Sequence, residues 1–132
     1  MSDRIAEELS LMRERWPDLE YRSDGRWILL PTYPPRPDGW MPTMSAIVFQ
    51  IQPVHPGSPP YGFYVSAGIT FRGQAPTSYT EPAATQPPFA GPWGFFSWSP
   101  DDGAWQPTAD IRAGANLLNW ALGFQRRFHE GA

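Results

Sequence analysis

Residues 94–107, GFFSWSPDDGAWQP, hold the side chains of this sequence most able to do chemistry. Ser97 and Ser99 offer hydroxyls, and Asp101 and Asp102 offer carboxylates a few positions later. A serine hydroxyl ionises poorly near neutral pH. It becomes a useful nucleophile only beside a general base or a preorganised oxyanion site. Asp101 and Asp102 are candidate bases, although Asp101-Asp102-Gly103 reads equally well as a surface turn. His55 is the alternative base, with nothing in the sequence bringing it near. His129 sits where a histidine at a helix end needs no functional explanation. Trp98, Trp105, Phe95 and Phe96 read first as packing aromatics.

Composition removes several classes. There is no cysteine, which excludes disulfides, thiolate metal sites and thiol catalysis. Two histidines without HExxH spacing give no basis for a metal site, and neither GxGxxG nor a Walker loop implies a cofactor. The net charge of -3 and the lack of a basic block argue against nucleic acid. No run of about 18 apolar residues is present, so no membrane span or membrane partner is expected. The opening MSDRIAEELS is charged and has no apolar signal core, so a cytoplasmic location is expected. At 132 residues and 41% apolar, the sequence suits one domain over 1–132 with one core. All ten basic residues are arginine. A GC-rich genome explains this, and so would avoidance of self-modification by lysine-reactive acyl groups.

The elements that must position this segment follow from periodicity. Over 3–16, Ile5, Leu9, Met12 and Trp16 form one apolar helical stripe, ended by Pro17. Asp3, Glu7 and Glu8 near its start and Arg13 and Arg15 near its end suit the helix dipole. Residues 19–24 and 26–30 read as strands about an Asp24-Gly25 turn. PTYPPRPDGWMP, residues 31–42, is a proline-rich loop in which Trp40 is either an exposed docking aromatic or buried. Residues 44–52 and 61–71 supply further strands, and 73–93 is a long irregular loop. A last helix is expected over 109–128, with Thr108 as N-cap. Ile111, Ala115, Leu118 and Leu122 would line one face, widened by Leu117, Ala121, Phe124 and Phe128. The expected class is α+β, with a helix, an antiparallel meander of about four strands, an irregular segment and a helix.

That order resembles the ubiquitin-conjugating (E2) fold. Two local motifs carry the resemblance. HPGSPPYGFYV, residues 55–65, is similar to the family's Tyr-Pro-x-x-Pro-Pro signature before a strand. Pro56, Pro59 and Pro60 match its spacing, and His55 stands at the tyrosine. In the second, Gly94 is followed three positions later by Ser97, then eight positions on by Trp105, then Pro107 and the helix. This resembles Gly-x-x-Cys with its later Trp-x-Pro, with serine at the cysteine. The nearest likeness is to divergent bacterial E2-like proteins of ubiquitin-like conjugation operons, several linked to antiphage defence. The family's His-Pro-Asn is replaced by TQPPF, residues 85–89, leaving backbone N–H groups or Gln86 as oxyanion donors. The family's two extra C-terminal helices have no counterpart in this sequence.

The resemblance implies a ubiquitin-like modifier and an E1-like activating protein as partners. In one reading Ser97 accepts the modifier's C-terminus as an oxyester, with Asp101 or Asp102 as base. In the alternative the domain is a non-catalytic E2 variant that binds the modifier or the E1-like partner. A third reading, outside the family, is an interaction protein that uses its proline-rich loops.

Overall fold

The computed structural model describes residues 2–52, 55, 60–98, 105–108, 110 and 114–129. Helix α1, Ser2–Arg15, matches the expected stripe, with Leu9, Met12 and Trp16 buried. The Trp16 N–H closes the last turn on the Met12 carbonyl at 2.8 Å. One residue departs from the dipole reading. Glu8 lies in the middle of the helix, on the same face as Ile5 and Met12, and is fully buried.

Six strands form an antiparallel sheet: β1 Glu20–Arg22, β2 Trp27–Leu30, β4 Ile47–Gln50, β5 Phe63–Ser66, β8 Trp93–Phe96 and β7 Tyr79–Thr80, in that spatial order. The expected meander is its first four strands. The remaining two, β3 Trp40–Met41 and β6 Thr70–Phe71, pair with each other outside the sheet. They form because both lie in connections long enough to meet. The segment that begins at Gly94 is therefore partly strand: β8 pairs with β5 from Phe63↔Phe96 to Ser66↔Trp93.

Alternation sorts the side chains into two layers. Ile28, Leu30, Ile47, Phe49, Phe63, Val65 and Phe96 face the helices. Trp27, Val48 and Trp93 face the other way and are covered by Leu29, Ala46, Tyr64 and Phe89. The helical side holds the larger core, in which Phe63 stacks on Phe124 with ring centres 4.2 Å apart. Full burial of rings of this size contributes about 2–3 kcal/mol each relative to exposure.

The C-terminal helical region differs from expectation. It consists of α2, Leu117–Leu122, and α3, Phe124–His129, joined at Gly123. Asn116 caps α2, its side chain accepting from the Asn119 N–H at 2.8 Å. Thr108 is not the cap; its hydroxyl donates to the Asp110 carbonyl. The chain at 114–115 instead runs against 106–108. The Ala115 N–H bonds the Gln106 carbonyl at 3.0 Å, and a Cβ on Gly114 would come within 2.6 Å of that carbonyl. Ile111 lies outside the described residues. Leu122, expected on the apolar face, is 39% exposed, while the expected Leu117, Ala121, Phe124 and Phe128 are buried and Trp120 joins them.

The loop over 31–42 is fastened to this region. The Tyr33 hydroxyl donates to the Ala121 carbonyl at 2.6 Å, and the Trp40 indole donates to the Phe128 carbonyl at 2.8 Å. Trp40 is fully buried, so it is a core residue and not an exposed docking aromatic. Arg36 is buried as well, bonding the Pro42 carbonyl and the Ser45 hydroxyl at 2.7 Å each, with its guanidinium over the Phe128 ring. Burial lowers its pKa to about 10. Among the described residues, no helix is long and apolar enough to cross a membrane.

Gly94 sits beneath the Tyr79 ring of the neighbouring strand, where a Cβ would collide with the phenol. Gly94→Ala should destabilise the protein by about 2 kcal/mol, the usual cost of overpacking. In urea unfolding, the Gly94→Ala/Tyr79→Ser double variant should lose less than the sum of the two single losses.

Candidate functional site at the tryptophan cleft

Ser97 follows β8 directly and is exposed. Its N–H donates to the Ser78 carbonyl at 2.8 Å, extending the pairing of β8 with β7. On the other side, the Gly62 N–H donates to the Trp98 carbonyl at 2.8 Å. Ser97 and Trp98 are therefore held between two neighbouring segments. The Ser97 N–H is spent in this pairing and does not form an oxyanion donor. Among the described residues no carboxylate or imidazole hydrogen-bonds the Ser97 hydroxyl. Asp101 and Asp102 lie outside the described residues.

Gln86 has a different task from the one expected. Its amide nitrogen donates to the Ala83 and Trp93 carbonyls at 3.0 and 3.1 Å, and its oxygen accepts from the Trp93 N–H at 3.1 Å. It staples the long loop to the start of β8. Trp93 precedes Ser97 by four residues, roughly 13 Å along a strand. Gly94 is accounted for by the close approach of Tyr79. Of the first motif, Pro60 is buried just before β5, and Pro56 and Pro59 lie outside the described residues.

His55 is the larger surprise. Its side chain is 1% exposed, and Nε2 lies 2.7 Å from the Glu8 carboxylate. A carboxylate only accepts, so Nε2 carries the proton; Nδ1 is buried without a partner among the described residues. The same Glu8 carboxylate accepts from Arg4 Nε at 2.8 Å and from the Leu117 N–H at 2.6 Å. Arg4 also reaches the Thr108 carbonyl at 2.5 Å. One carboxylate thus joins α1, the turn at His55 and the first residue of α2. Trp105 packs against the His55 ring, centres 6.0 Å apart. Glu8 stands three residues after Ile5 and four before Met12, and that helical spacing was the available signal for this cluster.

Trp98 and Trp105 belong to one cleft of about 330 Å³, lined also by Ala115, Asn119, Trp120, Gly123 and Arg126. The Trp98 and Trp120 rings lie 5.2 Å apart, and Trp98 also packs edge-on against Phe63 and Phe124. Trp98 therefore joins the core to the cleft wall. Pro107, half-buried, follows Trp105 on the same segment. The sequence motif and the cleft overlap at the two tryptophans and not at the serine. Such a cleft can hold a flat apolar group beside a cation; among its described lining residues there is no acid–base pair. No protein family, curated protein or solved structure matches the chain.

The Glu8 carboxyl is subject to opposed influences. Burial, the largest, pushes its pKa up. The hydrogen bonds from His55 and from the Leu117 N–H, the His55 charge and the Arg4 hydrogen bond together outweigh burial and hold it below 4.5. A carboxyl lowered on folding stabilises the protein above its unfolded pKa, and that contribution is lost as pH falls through the folded value. Glu8→Gln should cost about 3 kcal/mol at neutral pH, the scale for breaking a buried pair. The gap between wild type and variant in urea unfolding should then narrow as pH is lowered below 4.5. A gap that stays constant across that range would show that the Glu8 charge is not what matters.

Proposed function

We propose that the protein is an E2-like domain of a bacterial ubiquitin-like conjugation pathway. In this reading it binds and positions the modifier or the E1-like partner without carrying the modifier covalently. The order of helix, antiparallel meander and C-terminal helices supports the frame. So do buried Pro60 ahead of β5 and Trp105 and Pro107 ahead of the last helices. One observation carries the choice of binding over catalysis. The Ser97 N–H is committed to Ser78 and Gln86 is committed to Trp93, while a tryptophan-lined cleft stands next to Trp98. An acyl carrier needs donors aimed at a developing oxyanion; a binding domain needs a concave apolar surface with a few polar groups.

The second reading, Ser97 as an oxyester carrier, is favoured by the exposure of Ser97 at the end of β8. The two separate in one experiment. The protein is mixed with its modifier, the E1-like protein and ATP, then resolved under denaturing and native conditions. The binding reading expects a native complex with no covalent adduct. An adduct that resists thiol reductant, is cleaved by hydroxylamine and disappears in Ser97→Ala would establish the carrier instead. Absence of both adduct and complex would remove the conjugation reading altogether.

A further inference from the structure

We infer that the outer face of the sheet carries a pocket for a free α-amino acid with an apolar side chain. The pocket shares no described lining residue with the tryptophan cleft, so its role does not depend on the reading of that cleft.

Strand register decides which side chains meet there. Residues directly opposite each other in an antiparallel pair lie on one face of the sheet. Glu20 is opposite Leu29, Leu29 is opposite Val48, and Ser66 is opposite Trp93. Val48 and Trp93 belong to the outer cluster, so Glu20, Leu29 and Ser66 face the same way. Tyr21 packs against the helical core, which turns Arg22 outward beside Glu20.

Small residues leave the space. Ala46 and Ser66 carry too little side chain to fill the face between Leu29 and Trp93, and a pocket of about 400 Å³ results. That size falls within the usual range for small ligands, about 300–1,000 Å³. One wall is the loop at Phe89, which is fastened twice. The Arg22 guanidinium lies over the Phe89 ring, 4.9 Å from its centre, and the Trp93 indole donates to the Phe89 carbonyl at 3.1 Å.

Charge names the ligand. Glu20 and Arg22 line this pocket from one strand, two residues and roughly 6.6 Å apart along it. No ion pair joins them, and neither has another ionic partner among the described residues. The contact with Phe89 holds the guanidinium without neutralising it. A carboxylate and a guanidinium beside an apolar floor suit a ligand that carries an ammonium, a carboxylate and an apolar remainder. An α-amino acid has all three within one small molecule. A plain cation would be opposed by Arg22 and a plain anion by Glu20. The Ser66 hydroxyl makes no hydrogen bond among the described residues and adds a donor and acceptor within the pocket.

The test titrates the intact, isotope-labelled protein with L-phenylalanine, N-acetyl-L-phenylalanine and L-phenylalaninamide at mildly acid pH and low salt. The Trp93 indole N–H signal reports on the loop wall. It should shift saturably with phenylalanine. Each capped form should bind about fivefold more weakly, the scale of one exposed charge pair. Glu20→Gln should abolish the penalty for acetylating the amine and keep the penalty for the amide; Arg22→Gln should do the reverse. No saturable shift, a capped form binding as tightly as phenylalanine or more so, or a variant that weakens all three ligands alike would each overturn the inference. Neither modifier nor E1-like protein is present in this titration, so its failure leaves the conjugation reading standing.

Discussion

The buried carboxylate of Glu8 is the constraint on which the half of the molecule holding the tryptophan cleft depends. It is fully enclosed, and its hydrogen bonds run to three separate parts of the chain: Arg4 on its own helix, His55 in the turn before β5, and the Leu117 N–H at the start of α2. An isolated charge in such a place would cost several kcal/mol, so each partner is needed by the others. Because α2 has to begin where its first N–H can meet that oxygen, the position of α2 follows from α1. Trp120 and Asn119 on α2, and Trp105 against His55, then form the cleft. The geometry of the candidate site is thus set from the N-terminal helix, far away in sequence.

A second set of contacts makes the arrangement rigid from the opposite side. Phe63 of β5, Phe96 of β8 and Phe124 and Phe128 of α3 pack ring against ring, and Trp98 extends the cluster outward. Trp98 has one face in the core and another on the cleft. Ser97, its neighbour, is fixed by sheet pairing and points out of this packing. Adjacent residues on an extended segment face opposite ways. The same strand that secures Trp98 in the cleft wall therefore leaves Ser97 exposed, and the tryptophan, not the serine, shares a site with Trp105.

Much of the fold was readable because it rests on local patterns. The stripe Ile5, Leu9, Met12 and Trp16 gives α1, and the alternation of Ile47, Phe49 and Ile51 gives β4. What was not readable depends on contacts across the chain. The start of the last helix moved from Thr108 to Asn116 because residues 114–115 pack against 106–108, a contact that helix periodicity does not encode. Gln86 looked like a free amide, but its partners are backbone groups of Ala83 and Trp93, set by the path of a loop without period. Glu8 looked like a dipole partner because local charge rules see only its own helix. For the candidate site, Trp105 was identifiable by spacing, and Trp98 only as a packing aromatic beside Ser97. Trp120, Asn119 and Arg126, which complete the cleft, sit on helices whose register emerges only from packing.

Keeping a buried carboxylate in this core needs a reason, since apolar residues of similar volume often stabilise a protein as well or better. Apolar packing alone leaves a short helix such as α2 free to slide or rotate among similar arrangements, because dispersion contacts have little directionality. A carboxylate that must accept from one particular backbone N–H removes that freedom. The cleft demands this, because its three indoles come from two different parts of the chain: the segment through Trp98 and Trp105, and α2. A shift of α2 by one residue would turn Trp120 by about 100° about the helix axis and dismantle the wall. In physical terms, the Glu8 cluster is best understood as a register lock. It ties the start of α2 to α1 and so fixes one arrangement of tryptophans around the cleft.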